Sequence, residues 1–195
     1  MVKEGIIISG VGGQGVLTLA RLIGEIALMK GFNVRVAEVH GLAQRGGSLM
    51  ASVKLGRSIL APTVGLGTAD KLLGLELIEG IRYLNYLKEG GIAIINDYLI
   101  EPPLSKPLDR RKLIDQLRGL PFKIYLVNAY SIARSLGDVR VVNMVMLGAY
   151  SKLKDTWFNW SEAVKVLKRV FKGKLLELNI KAFRMGKEAP LKSLS

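Results

Sequence analysis

The sequence predicts an α/β fold: a single Rossmann-like domain whose mostly parallel sheet is flanked by helices, with further helices at the C-terminal end. Three observations predict it. Short apolar runs rich in β-branched residues occur at residues 5–9 and 92–96, the pattern of strands buried on both faces, and a further strand-like run lies at 34–39. Stretches of helical length and period lie between them. A glycine-rich turn, Gly10-Val11-Gly12-Gly13-Gln14-Gly15, joins the first strand to the first helix. Strands that alternate with helices pack as a parallel sheet with helices on its faces.

The elements follow in order. Residues 5–9 read as a strand and 16–30 as a helix that Gly31 ends. That helix is apolar nearly all round, so it should be buried on more than one side. Residues 34–39 complete a βαβ unit. A strand is expected at 49–55, a loop at 61–68 around Pro62, Gly65 and Gly67, and a strand at 71–75. Residues 76–88 read as a helix closed by Glu89-Gly90-Gly91, and 92–96 as a buried strand. Pro102, Pro103 and Pro107 make 98–110 irregular. A helix at 111–118, a strand at 122–127 and helices at 129–136 and 141–153 come next. Ser161 is the expected N-cap of a helix with Glu162 in its first turn. Helices at 162–171 and 174–185 flank Gly173. The domain is expected to span 1–185, with 186–195 a loosely held tail.

Composition narrows the chemistry. The 195 residues suffice for one domain with a sizeable core. There is no cysteine and one histidine, which excludes disulfides, thiolate zinc sites and cysteine-held iron–sulfur clusters on this chain. The mean hydropathy of +0.27 is high, yet no uncharged apolar run reaches the roughly 18 residues of a membrane span. A cytoplasmic protein without a membrane role is expected, with surplus apolar surface covered by a partner. The net charge is +13, and residues 151–195 carry eleven Lys/Arg against four Asp/Glu. A solvated basic face accounts for this. The sharper alternatives are an acidic protein, a polyphosphate or nucleic acid. Nucleic acid ranks last, because aromatic residues are not interleaved with the charges. The lack of cysteine among many Lys/Arg suits a heat-adapted protein.

Two turns carry the candidate site. Gly10, Gly12 and Gly15 match the dinucleotide fingerprint, with Gly13 and Gln14 between them. Such glycines permit a sharp turn, close approach of amides to a phosphate, and tight packing of helix on strand. The helix start adds free N–H groups and partial positive charge. Glu38 lies 23 residues past Gly15, near the place of a ribose-binding acid. No lysine follows as a Walker loop would require, so triphosphate hydrolysis is disfavoured. The second turn is Glu38-Val39-His40-Gly41-Leu42-Ala43-Gln44-Arg45-Gly46-Gly47-Ser48. Arg45 can grip a carboxylate or phosphate with two parallel N–H bonds. Gly46 and Gly47 allow an amide nest, Ser48 adds a hydroxyl and Gln44 an amide. His40 has the chemistry of an acid or base near neutral pH, but a lone histidine is more often structural, and no catalytic set surrounds it. Both turns follow strands, so both belong on the carboxyl edge of the sheet, where such folds bind ligands.

These two turns, with Asn143-Met144-Val145-Met146-Leu147-Gly148, resemble the gamma-type module of the 2-oxoacid:ferredoxin oxidoreductases. The similarity runs from about residue 3 to 185. The His-Gly-x-Ala-Gln-Arg-Gly-Gly-Ser run is the mark of the branch that acts on indolepyruvate and related arylpyruvates. The resemblance implies a Rossmann-like module with no cofactor of its own. It implies a large partner subunit holding thiamine diphosphate and iron–sulfur clusters, coenzyme A as co-substrate, and ferredoxin reduced by the complex. It also implies that Gly12 to Gly15 and Gln44 to Ser48 contact ligand or subunit, and that Asn143 supports fold or interface. No catalytic residue is assigned to this chain, which is expected to be inactive alone. The competing readings are a free-standing NAD(P)-binding Rossmann protein and a basic nucleic-acid-binding module.

Overall fold

The computed structural model describes residues 3–40, 46–59, 61–101 and 107–194. A seven-stranded sheet forms its centre, in the order β2-β3-β1-β4-β5-β6-β7. The strands are β1 (Glu4–Val11), β2 (Asn33–His40), β3 (Ser48–Gly56), β4 (Ala69–Gly74), β5 (Leu87–Asn96), β6 (Lys123–Val127) and β7 (Lys192–Ser193). Strands β1, β4, β5 and β6 run parallel to one another. β3 lies antiparallel between β1 and β2, so β1 and β2 share a direction without touching. The expected βαβ unit is therefore split by a hairpin strand.

Among the described residues seven α-helices cover the two faces: α1 (Val16–Met29), α2 (Leu77–Arg82), α3 (Arg110–Leu117), α4 (Ala129–Ser135), α5 (Val142–Ser151), α6 (Trp160–Val170) and α7 (Gly173–Glu188). Alternation along β1 sorts the core. Ile6 and Ile8 face the cluster built with α1, α4, α5, α6 and α7, whereas Ile7 faces the smaller cluster with α2 and α3. The all-round apolar character of α1 is explained by contacts with β2, β3, α5 and α6. α5 is buried at nine of its ten residues. A Cβ on Gly148 would stand 2.2 Å from the Phe183 carbonyl oxygen, and one on Gly186 2.0 Å from that of Val145. α5 and α7 thus meet backbone to backbone at two glycines.

Three expectations are corrected. The helix at 76–88 is only α2, followed by a 3₁₀ turn at Leu84–Tyr86, and β5 begins at Leu87. Glu89-Gly90-Gly91 does not end a helix. It forms an irregularity inside β5, where Ala69 pairs with Leu87 but Lys71 with Ile92, and Gly90 takes a φ of 70°. The N-cap of α6 is Asn159, not Ser161. Asn159 accepts from the Glu162 N–H and the Glu162 carboxylate accepts from the Asn159 N–H, a reciprocal box whose spacing Ser161 does not have. Residues 186–194 are not loosely held. Helix α7 runs to Glu188, β7 pairs with β6, and Leu194 is buried with its N–H donated to the Ile124 carbonyl. Among the described residues no helix is long and apolar enough to cross a membrane.

Candidate functional site

β1 delivers the first turn to the carboxyl edge of the sheet. Its shape follows from local bonds. The Gln14 N–H donates to the Val11 carbonyl at 3.1 Å, and Gln14 Oε1 accepts the Val11 N–H at 2.8 Å. The side-chain oxygen of Gln14 is thus used inside the turn. Gly10 sits where a Cβ would be 2.8 Å from that oxygen and 3.1 Å from Leu75 Cβ. Gly13 has a φ of 103°, is exposed, and a Cβ there would meet nothing within 4 Å. Gly15, at φ 83°, begins α1 with no side-chain cap and no acidic residue in the first turn. Among the described residues, the first turn of α1 itself thus offers no carboxylate to the partial positive charge of the helix start.

The two glycine turns are brought together. The Gly12 N–H donates to the Gly47 carbonyl at 2.9 Å, and the Gly46 N–H reaches the Gly12 carbonyl at 3.4 Å. These bonds continue the β1–β3 ladder, whose last register pair is Val11 with Ser48. Gly46 takes a φ of 73° and is exposed. Gly41 to Arg45, including the expected ligand residues Gln44 and Arg45, lie outside the described residues. His40 is the final residue of β2, in register with Leu49.

Glu38 does not occupy the place of a ribose-binding acid. It is exposed on the outermost strand, in register with Ala51 of β3. With β3 between them, β1 and β2 lie two strand spacings apart, about 10 Å. A dinucleotide fold needs that acid on the strand next to the first turn. This spacing argues against the NAD(P) reading.

Behind the second turn stands a group that the sequence does not announce. The Ser48 hydroxyl donates to the Glu79 carboxylate, and Ser48 Oγ lies 3.2 Å from Tyr83 Oη. Ser48 has one proton and gives it to Glu79, so Tyr83 is the donor to Ser48. Arg82 Nε adds a bond to Glu79 at 3.2 Å, and Ser9 Oγ donates to the Glu79 backbone carbonyl. The Glu79 N–H in turn donates to Glu76, whose other oxygen takes the Ile100 N–H. The one available signal was a pair of glutamates three apart in the apolar run Leu75-Glu76-Leu77-Ile78-Glu79. Buried carboxylates at that spacing imply specific donors.

On the other side of the first turn lies a cavity of about 350 Å³, bounded by Gly13, Gly15, Thr18, Arg140, Asn143 and Asn179 among others. Asn143 Nδ2 donates to the Gly15 carbonyl at 3.3 Å, which gives Asn143 its expected supporting role. Arg140 at the rim is held by two parallel bonds to Asp138, and this arginine keeps the Asp138 carboxyl below its ordinary value. Further along the edge, Asn96 ties the Leu75 carbonyl to the Tyr130 N–H, and Tyr130 stacks on Tyr98 at 3.8 Å. The hydrogen bond between the two phenols raises the Tyr98 pKa.

Two further openings, of about 350 and 610 Å³, lie at the opposite edge of the sheet, around Glu4, Asp70 and Lys88. Their floor is a closed structural network. Glu4 accepts from Tyr150 and Trp157, and Lys71 lies between Glu4 and Asp155. Burial raises the Glu4 carboxyl and pushes the Tyr150 hydroxyl well up.

Residues 5–189 match the family described as pyruvate ferredoxin/flavodoxin oxidoreductase. The chain belongs to that family. It is 34% identical over 198 residues to the indolepyruvate oxidoreductase subunit IorB of Thermococcus kodakarensis, covering 97% of this chain and 96% of the relative. Identity to the IorB subunit of Archaeoglobus fulgidus is 35% over 186 residues, covering 93% and 92%. Among solved structures, the gamma subunit of a keto/oxoacid ferredoxin oxidoreductase from Geobacter sulfurreducens superposes with a TM-score of 0.72 at 26% identity, covering 95% and 96% of the two chains. Among the described residues no group of three or more His, Asp or Glu is placed to hold a metal.

Proposed function

We propose that this chain is the small subunit of a CoA-acylating oxidoreductase for indolepyruvate and related arylpyruvates. The complex converts arylpyruvate, coenzyme A and oxidised ferredoxin to aryl-acetyl-CoA, carbon dioxide and reduced ferredoxin. Decarboxylation and oxidation yield two electrons, which leave through iron–sulfur clusters. We assign thiamine diphosphate and those clusters to the large partner subunit; for the clusters, a chain without cysteine supplies no thiolate. Thiamine diphosphate bound there supplies the carbanion chemistry.

The observation that carries the reading is the joining of the two glycine turns through Gly12 and Gly47. It sets the uncapped start of α1 and the exposed Gly13 beside Gly46 and Gly47. Backbone amides on such a rim suit a carboxylate or phosphate presented from the partner's side. Gly13 and Gly46 keep that rim free of side chains. The chain contributes binding and orientation rather than bond making. Ser48 holds the start of β3 against Glu79, and Asn143 holds the start of α1, so both turns rest on fixed supports.

The test is co-expression with the large subunit. The complex should reduce a viologen dye only when indolepyruvate and coenzyme A are both present, and the large subunit alone should fall far short of it. Full activity of the large subunit without this chain would sink the reading. Nicotinamide binding by this chain alone would favour the NAD(P) alternative.

A further inference from the structure

The hairpin of α6 and α7 presents a one-sided charge that the proposed chemistry leaves unexplained. α6 exposes Lys165, Lys168 and Arg169, and Lys172 follows it. α7 exposes Lys174, Lys181, Arg184 and Lys187. None of these eight forms an ion pair among the described residues. Glu162, the acid of α6, is taken by Lys30 of α1, which leaves Glu177 and Glu188 as the exposed acids of the hairpin. Lys165 and Arg169 stand one turn apart, as do Lys168 and Lys172, and like charges at that spacing work against a helix. The two stripes are tied into one surface. Trp160 of α6 stacks on Phe183 of α7 at 4.8 Å, and Arg184 and Lys187 lie over its ring.

The kind of charge narrows the occupant. Six of the eight are lysines. Lysine is a strongly hydrated point charge, and buried interface cores are depleted in it while arginine is enriched. A lysine face attracts at long range and lets go. Exposed apolar side chains, the better ground for a permanent subunit contact, include Leu28 at 59% on α1 and Val39 at 54% on β2, whereas among the described residues Leu175 is the one such side chain on the α6–α7 hairpin. A nucleic acid fits poorly. Trp160 has Phe183 on one face and cations over it, so it offers no platform for a base.

We propose that the α6–α7 face is the landing surface for a protein that docks through an acidic patch and departs, namely the electron carrier that the complex reduces. This rests on the reading of the chain as an oxidoreductase subunit. Complementary charge of this kind raises encounter rates and is screened by salt.

The test uses the two-subunit complex with the triple reversal Lys165→Glu, Lys168→Glu, Arg169→Glu. Oxidised ferredoxin is titrated directly onto wild-type and variant complexes at low salt. Initial rates are then taken with ferredoxin and with methyl viologen as acceptors. The expected result is a Kd and a KM for ferredoxin raised about tenfold or more, a gap that closes as salt is added, and an unchanged viologen rate. The milder pair Lys174→Gln, Lys181→Gln should fall between wild type and triple variant. Equal ferredoxin binding in all three complexes overturns the proposal. So does a triple variant that dissociates on dilution or loses both acceptor rates alike, because the face then belongs to the large subunit. So does wild-type binding of RNA that the reversal abolishes while ferredoxin kinetics stay the same. A wild-type complex that never reduces viologen counts against the oxidoreductase reading instead, and the direct titration still decides the landing surface.

Discussion

Replacing Gly15 by alanine separates two reasons for that glycine. Its φ of 83° is one that an L side chain occupies at a cost of about 1–2 kcal/mol. The new Cβ would also stand 2.3 Å from Asn143 Nδ2. Asn143 is only 6% exposed, so moving it disturbs packed surroundings, at about 1–3 kcal/mol. The sum is about 2–5 kcal/mol. For a chain of this size that corresponds to a fall in Tm of roughly 5–15 °C. Asn143→Ala alone removes one long hydrogen bond and some packing, about 1–2 kcal/mol. In that background the collision partner is gone and Gly15→Ala should cost only its backbone strain. A double-mutant cycle by urea unfolding, followed through Trp157 and Trp160 fluorescence, should therefore show at least about 1 kcal/mol of coupling. If Gly15→Ala costs the same with and without Asn143, the contact between α1 and α5 plays no part and the reasoning is wrong.

Three other expectations follow from the same geometry. Ser48→Ala leaves the buried Glu79 carboxylate short of a donor, and should cost about 1–3 kcal/mol by denaturant titration; an unchanged midpoint would mean Glu79 is satisfied without it. Gly186→Ala places a Cβ against the Val145 carbonyl, a backbone collision worth about 2 kcal/mol or more, and calorimetry should find a lower Tm in proportion. Glu162→Ala removes the capping box of α6 and its tie to Lys30, about 1 kcal/mol near neutral pH. Lys30 holds the folded-state pKa of Glu162 below its ordinary value, so this contribution is present above the ordinary glutamate pKa and is lost as pH falls through the lower folded one. The gap between variant and wild type should shrink as pH falls below the ordinary glutamate pKa; a gap that is constant with pH would exclude the charge.

What could be read in the sequence was whatever a local pattern specifies. Buried strands announce themselves as apolar runs, so β1, β4 and β6 were legible to within about two residues and β5 in its C-terminal half. The two glycine turns were placed on one edge because each follows a strand. Neighbour order is different, since it depends on contacts far apart in the chain. Nothing in residues 49–55 says that β3 enters between β1 and β2, and that insertion is what removes Glu38 from the ribose position. β7 has two residues, too few to show any period. Asn159 was legible in principle, because the spacing from Asn159 to Glu162 is that of a capping box and Ser161 lacks it. Ser48 was visible as a hydroxyl, but its partners Glu79 and Tyr83 come from α2 and the chain just beyond it, and only the fold supplies them.

The glycine contact between α5 and α7 has a consequence for hydrogen exchange. Two helices that touch through backbone atoms cannot slide or roll against each other without collision. Their amides should open only with the whole molecule and exchange last. β2, at the edge of the sheet, should exchange early along its outward amides. The protection map is then polarised across the candidate site. The cavity wall formed by Asn143 and Asn179 belongs to the slow half, and the strand that leads into the second glycine turn belongs to the fast half. A ligand that bridges the two would slow exchange on the β2 side and leave the α5–α7 side as it was.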